Sequence, residues 1–149
     1  MIPAFISERI KQPATIPCIS RQSTPVVFFG DIERAKIATL SLNPSHQEFY
    51  DKHGLHSSSH RRLESLVSLG AMSLETLTDE QVQKVFDGCI NYFGEGGWPY
   101  MQWFGSINKL LMDSLKKGYM DGSCCHLDIV QWLQILNGIS FAMNVSVRC

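Results

Sequence analysis

One short segment constrains the fold of this chain more than any other feature. Residues 37–42 have the sequence Ile-Ala-Thr-Leu-Ser-Leu, and such a run of apolar and β-branched residues is typical of a β-strand. The run stops at Asn43-Pro44-Ser45, where an Asn-Pro pair favours a turn and the proline cannot donate to a β-ladder. The segment therefore predicts a strand that carries a polar loop at its C-terminal end.

Two further segments have the pattern of strands. Residues 26–29 are Val-Val-Phe-Phe, a short apolar run that ends at the turn signal Gly30-Asp31. Residues 124–132 have the length of another short strand, with polar residues at His126 and Asp128. These segments predict a sheet to which the first strand also belongs.

Helical patterns lie between these strands. Apolar spacing predicts a short helix over 61–69 and another over 104–115, and Thr78 with Gln81 fits a capping box at the start of a third helix. Strands that alternate with helices indicate an α/β fold. Because such sheets bind ligands just beyond the C-terminal ends of their strands, we expect the site at residues 43–45.

Length and charge set broad limits on the chain. Its 149 residues and formal net charge of −1 fit one domain with one core and no global attraction to nucleic acid or anionic lipid, although a local basic cluster would still attract them. The first twenty or so residues contain Glu8, Arg9, Lys11 and several prolines, so they match neither a signal peptide nor a membrane span. These features predict a cytoplasmic protein without a membrane partner.

The strand and its loop resemble a known active-site motif. In the mismatch-specific and single-strand-selective branches of the uracil-DNA glycosylase superfamily, the first motif is a strand that ends in Gly-x-Asn-Pro; here Asn43 and Pro44 match, and Ser41 replaces the glycine. The resemblance implies that Asn43 is catalytic and positions the water that attacks the sugar carbon as the base leaves. A neutral amide suits this role because its carbonyl oxygen holds a water without adding negative charge.

A wider resemblance covers residues 26 to 132. The chain is similar to an uncharacterised bacterial branch of the same superfamily, and the similarity is carried by Asn43-Pro44-Ser45-x-x-Glu48-Phe49, Arg61-Arg62-Leu63, Ser68-Leu69-Gly70, Tyr92-Phe93, Pro99-Tyr100, Trp103-Phe104 and His126-Leu127-Asp128-x-Val130-Gln131-Trp132. It implies a three-layer αβα sandwich with a short, mainly parallel sheet. Membership of such a superfamily constrains fold better than reaction.

Several other residues are candidates for substrate binding. Pro44 and Ser45 belong to the same loop as Asn43, and Phe49 is placed to stack on a flipped base, since every base presents a π-face. The alternative for Phe49 is a core or loop anchor. His126 and Asp128 lie two apart on a strand and therefore share a face, which suits either a pocket floor or a buried structural pair.

The basic residues predict a contact with nucleic acid. Arg61 and Arg62, at the expected start of a helix, would bind backbone phosphates, the alternative being a solvated helix end. His53, His56 and His60 have no cysteine or carboxylate partners at metal-ligand spacing, so no metal is predicted.

The resemblance stops after Trp132, which divides the chain into an irregular N-terminal arm (1–24), an α/β domain (25–132) and an aberrant tail (133–149). The related proteins continue Trp-Ala-Thr-Asp-Pro-x-Trp. Codons permitted for residues 133–139, read with one G restored after the Trp132 codon, give Ala-Thr-Asp-Pro-Lys-Trp-Asp. We therefore hypothesise a frameshift, which would leave the fold incomplete at its C-terminus and impair activity.

Two functions remain open from the sequence, beside the alternative of a truncated domain with no present function. The first is a glycosylase-like hydrolase of DNA repair that cleaves the N-glycosidic bond of damaged bases in DNA and needs no cofactor. The second is a non-catalytic module on the same fold that binds a nucleotide, nucleic acid or protein partner. Retained ligand binding without base excision would distinguish the second from the first.

Overall fold

The computed structural model describes residues 2–16, 18–57 and 60–135. Helices and a small, mostly parallel sheet confirm the mixed α/β class. No helix in these ranges is both long and apolar enough to cross a membrane. The elements are α1 (Ala4–Lys11), β1 (Ile37–Ser41), a 3-10 helix (His46–Glu48), β2 (Tyr50–Asp51), β3 (Gly54–Leu55), α2 (Leu66–Leu69), α3 (Asp79–Ile90), α4 (Met101–Leu115) and β4 (Cys124–Asp128).

The sheet that matters for the site is formed by β1 and β4. The two strands are parallel, with Ile37 opposite Cys124 and Ser41 opposite Asp128. A parallel pair needs a long crossover, and here the crossover includes α2, α3 and α4. The two C-terminal strand ends therefore meet at one edge. β2 and β3 form a separate small antiparallel pair.

The segment Val26–Phe29 flanks β4 but is not a regular strand, so this prediction is wrong in detail. It forms one isolated antiparallel bridge, in which Phe29 N–H donates to His126 O at 2.8 Å and His126 N–H donates to Phe29 O at 3.0 Å. Gly30 ends the segment with a φ of +91°, and a Cβ there would lie 2.7 Å from Phe93 Cδ2. Only glycine fits this close turn.

The N-terminal arm is not irregular throughout, which corrects the prediction for residues 1–24. Residues Ala4–Lys11 form α1, and α1 packs against α3. Ile6 and Ile10 are four residues apart, so both face the core, where they are 6% and 0% exposed. The flanking prolines do not prevent the helix, because Pro3 occupies the N-cap position outside it.

The three predicted helices are present with different bounds. Thr78 caps α3, and its capping box with Gln81 is formed as predicted. The helix expected over 61–69 is only α2, capped by Ser65, so Arg61 and Arg62 precede it. The last helix, α4, begins earlier than expected, at Met101.

The start of the predicted tail packs with the domain. Leu133 is 1% exposed, and its carbonyl accepts a hydrogen bond from Ser20 N–H at 2.9 Å. Gln134 forms an antiparallel bridge with Ile19. Packing of the chain onto the domain therefore continues past the predicted boundary at Trp132. Residues 136–149 lie outside the described residues.

An aromatic cluster forms the core behind the C-terminal edge of the sheet. Phe29 packs edge-on against Tyr92, with ring centroids 4.8 Å apart, and Phe93 stacks on Tyr119 at 4.6 Å. Phe104 lies 5.4 Å from Phe29, which links α4 to the segment beside β4. Because edge-to-face and stacked rings favour specific geometries, this cluster fixes the elements that surround the site.

Candidate functional site

Two parallel strands place four polar side chains on one face. Thr39 and Ser41 are two residues apart on β1, and His126 and Asp128 are two residues apart on β4, so alternation puts each pair on one side. The register sets Thr39 beside His126 and Ser41 beside Asp128. His126 Nε2 lies 3.3 Å from Asp128 Oδ1. The pair expected from the sequence to share a face is in contact.

Hydrogen bonds hold the His126 ring from both sides. Ser41 Oγ donates to Asp128 Oδ1, so it accepts from His126 Nε2 at 3.1 Å. With its proton on Nε2, the ring accepts at Nδ1 from Thr39 Oγ1 at 2.6 Å. Thr39 in turn accepts from Tyr119 OH at 2.6 Å. The resulting chain of donors runs from Tyr119 to Asp128 and fixes each polar group in one orientation.

The loop after β1 adds the predicted catalytic amide. Asn43 is half-buried, and its Nδ2 donates to Pro44 O at 3.0 Å, which leaves Oδ1 as the acceptor of the amide. Pro44 is buried, and Ser45 caps the 3-10 helix by accepting from Gln47 N–H at 3.2 Å. The loop is thus fixed at both ends of the Asn-Pro-Ser sequence.

The strand ends, this loop and α4 enclose one pocket of about 510 Å³, which we call the Asn43 pocket. Five of the predicted site residues line it together. Its walls also include four aromatic rings. The lining residues are Phe29, Ser41, Leu42, Asn43, Pro44, Ser45, Glu48, Tyr100, Trp103, Phe104, His126 and Asp128.

A buried carboxyl group in this pocket was missed by the sequence analysis. Glu48 is 1% exposed, and Tyr92 OH donates to its Oε2 at 2.5 Å. Burial raises the pKa of Glu48 to about 7, to which Asp128 adds, while the Tyr92 hydrogen bond and the Arg62 charge act against it. Glu48 was noted in the resemblance, but nothing in its local sequence indicated burial.

Tyr92 anchors this carboxyl group to the loop before α4. Its hydroxyl donates to Glu48 and accepts from the backbone N–H of Tyr100 at 2.9 Å. Burial, followed by the nearby Glu48, raises the pKa of Tyr92, so its hydroxyl stays a donor. The position of Glu48 therefore depends on two residues far away in the sequence.

Phe49 does not line the Asn43 pocket. It is 1% exposed and belongs to the hydrophobic core. It directly follows the 3-10 helix, as its C-cap residue. The structure thus gives Phe49 the anchor role, one of the two alternatives that the sequence left open.

The adjacent arginines separate. Arg61 forms an ion pair with Glu64 at 3.0 Å, whereas Arg62 lines a second pocket of about 430 Å³. We call this the Arg62 pocket; it is lined by Arg62, Gly97, Trp98, Pro99, Tyr100, Met101 and Gln102. Since α2 begins only at Leu66, neither arginine lies at a helix N-terminus.

The three histidines of the loop do not converge. His56 Nε2 accepts from Arg62 Nη1 at 3.2 Å, and burial together with the Arg62 charge lowers the pKa of His56. His60 packs edge-on against Trp98, and His53 is exposed. Within the described ranges, no group of three or more histidine, cysteine or acidic side chains is arranged to hold a metal ion.

Comparison of the chain with protein-family models, curated proteins and solved structures finds no match.

Proposed function

We propose that this protein is a uracil-DNA glycosylase-like hydrolase that cleaves the N-glycosidic bond of a base in DNA. The observation that carries the proposal is the convergence of Asn43, His126 and Asp128 on one pocket. Asn43 Oδ1 is the acceptor that would hold the attacking water, since its Nδ2 already donates to Pro44 O. The resemblance of the strand and loop to the glycosylase motif supports the same role.

The walls of the Asn43 pocket suit a flat heterocycle. Phe29, Trp103 and Phe104 line the pocket, and Trp103, at 49% exposed, has the most accessible ring of the three; base stacking on aromatic side chains is worth about 1–3 kcal/mol per base. The volume of about 510 Å³ falls in the range of small-ligand sites. A base extruded from DNA would enter here.

The polar floor would act on the attacking water. His126 donates to Ser41 and Ser41 donates to Asp128, so these two groups hold the Asp128 carboxyl group in one orientation in the pocket. Asp128, held by both of them, would accept the proton that the attacking water loses. We extend the proposal to a three-layer αβα sandwich as the fold and to the cytoplasm as the location.

The test is abasic-site formation on uracil-containing DNA, with further damaged bases as additional substrates. We expect Asn43→Ala to lower the rate by about a hundredfold or more, as for other residues that position a reacting water. Asn91→Ala is the matched control, because Asn91 is an exposed asparagine at the C-terminal end of α3. Equal rates for the two variants would refute the role of Asn43.

A second candidate function is a non-catalytic binding module for a nucleotide, a nucleic acid or a protein. It is favoured by the fact that Asp128 and His126 are already engaged with Ser41, as in a recognition site with fixed donors and acceptors. Retained binding of a nucleoside, with no abasic sites formed on any substrate, would support this function.

A further inference from the structure

Arg62 presents an unused hydrogen-bonding edge. A guanidinium has five N–H donors, and Nη1 uses its two on Gln47 O at 2.6 Å and on His56 Nε2 at 3.2 Å. On the opposite edge Nε and Nη2 donate to no described residue; Nε is shielded from solvent, so Nη2 is the donor that a ligand in the pocket would reach. Guanidinium N–H groups are the charged donors with which arginine binds phosphate and carboxylate groups.

Of the side chains of Arg62 and His56, only that of Arg62 reaches the Arg62 pocket. His56 accepts from Arg62 at Nε2, does not line the pocket, and interacts through its ring with the Tyr50 backbone. The donors of Arg62 that have no acceptor among the described residues are therefore the groups that would bind an anion there.

The Arg62 pocket adds more donors and a wall shared with the Asn43 pocket. Tyr100 lines both pockets, and its ring lies 5.5 Å from the Arg62 guanidinium carbon. Met101 and Gln102, the first residues of α4, also line the Arg62 pocket, and the N-cap residue Tyr100 makes no side-chain cap. Uncapped amides at a helix start add to the attraction of the guanidinium for an anion.

We propose that the Arg62 pocket is a phosphate subsite of the Asn43 pocket, so that the protein binds a nucleotide whose phosphate lies beside Tyr100 while its base occupies the Asn43 pocket. The inference rests on the proposed function for its base-binding half, whereas the phosphate half rests on Arg62 and the start of α4. The phosphate is either a monoester of a free nucleotide or a diester of a DNA strand.

The test compares ligands that differ only in phosphate. Calorimetry on the full chain would measure deoxyuridine, its 5′- and 3′-monophosphates, and a short single-stranded oligonucleotide with one internal deoxyuridine. We expect at least one monophosphate to bind roughly tenfold more tightly than the nucleoside, as one charge-assisted contact provides. An equal gain for the oligonucleotide identifies DNA as the source, and a gain confined to a monophosphate identifies a free nucleotide.

The adjacent arginines provide a matched pair of variants. Arg62→Gln should abolish the preference for the phosphorylated ligand over the nucleoside. Arg61→Gln should retain the preference, because Arg61 pairs with Glu64 outside both pockets. Equal affinities of nucleoside and nucleotides for the wild-type chain, or equal losses in both variants, would overturn the proposal.

The phosphate subsite can also be tested on the wild-type chain, without any substitution. Inorganic phosphate should protect Arg62 from modification by phenylglyoxal, as read by mass spectrometry, more than chloride does at equal ionic strength. Absence of protection overturns the subsite even if Arg62→Gln fails to fold. Protection without binding of any nucleoside or nucleotide keeps the subsite and refutes the nucleobase function.

Discussion

Glu48 gives the Asn43 pocket a polarity that depends on pH. The carboxyl group is buried beside the Tyr92 hydroxyl, and its pKa of about 7 lies far above the ordinary value of 4.5. The neutral acid offers an O–H donor to the pocket, whereas the carboxylate only accepts. Ligands that present an acceptor to Glu48 are therefore expected to bind better in mildly acidic solution.

The raised pKa also predicts how stability depends on pH. The folded chain retains the Glu48 proton between pH values of 4.5 and about 7, where the unfolded chain has lost it. The stability that the neutral group contributes is present below 4.5 and is lost as the pH rises through about 7. The loss amounts to about 3 kcal/mol at most.

Denaturant titrations of wild type and Glu48→Gln across this range would measure the effect, because glutamine keeps the shape but does not titrate. We expect the free energy of unfolding of the variant to exceed that of wild type increasingly as the pH rises. A constant difference between the two proteins would show that Glu48 does not titrate in this window. Lys84→Gln, on the exposed face of α3, is the control for a charge removed from the surface.

Residues of the site differ in how far the sequence could predict them. Asn43, His126 and Asp128 followed from the strand pattern, because alternation and strand ends are local properties. Burial of Glu48 depends on Tyr92, which is 44 residues away, and no local pattern encodes that contact. Arg61 pairs with Glu64 whereas Arg62 lines a pocket, and this difference depends on tertiary contacts that the local sequence does not encode.

At the scale of elements, local signals and tertiary packing explain different helices. The start of α3 was predicted because Thr78 and Gln81 form its capping box within one turn. α1 was missed because it lies among prolines and polar residues, and what stabilises it is burial of Ile6 and Ile10 against the core. A short helix is rarely stable without such packing.

The packing of α1 makes a testable prediction. Ile10→Ala should lower the free energy of unfolding by about 2–5 kcal/mol, since Ile10 is 0% exposed and its removal leaves a cavity. Phe5→Ala, five residues earlier on the same helix, should change it by less than about 0.5 kcal/mol, because Phe5 is 70% exposed. Urea denaturation would measure both. Similar values for the two variants would mean that α1 does not pack on the domain.

At the scale of the whole molecule, apolar side chains at the end of β1 and directly after β4 are exposed on one face of the sheet. Leu40 and Leu42 point to the same side and are 66% and 54% exposed, and Ile129, which follows β4, is 64% exposed. Within the described part of the chain, β1 pairs with β4 alone, so its other edge is open as well. Exposed apolar faces and open edges promote association.

We therefore expect the protein to self-associate as its concentration rises. Leu40→Lys should shift the distribution towards monomer by placing a charge on this face, without loss of stability, since surface changes usually cost less than about 0.5 kcal/mol. Sedimentation velocity over a range of concentrations would detect the shift. Met72→Lys, at a residue that is 96% exposed elsewhere, is the control. Identical sedimentation of wild type and Leu40→Lys would exclude this face as the contact.

The charge of Arg62, which lines one pocket, acts on the proton affinity of Glu48, which lines the other. The Arg62 charge holds the pKa of Glu48 lower than burial alone would set it. An anion that neutralises Arg62 would remove this influence, so Glu48 would bind protons more strongly. Occupation of one pocket near neutral pH would therefore draw protons from solution into the other, and ligand affinity would itself vary with buffer pH.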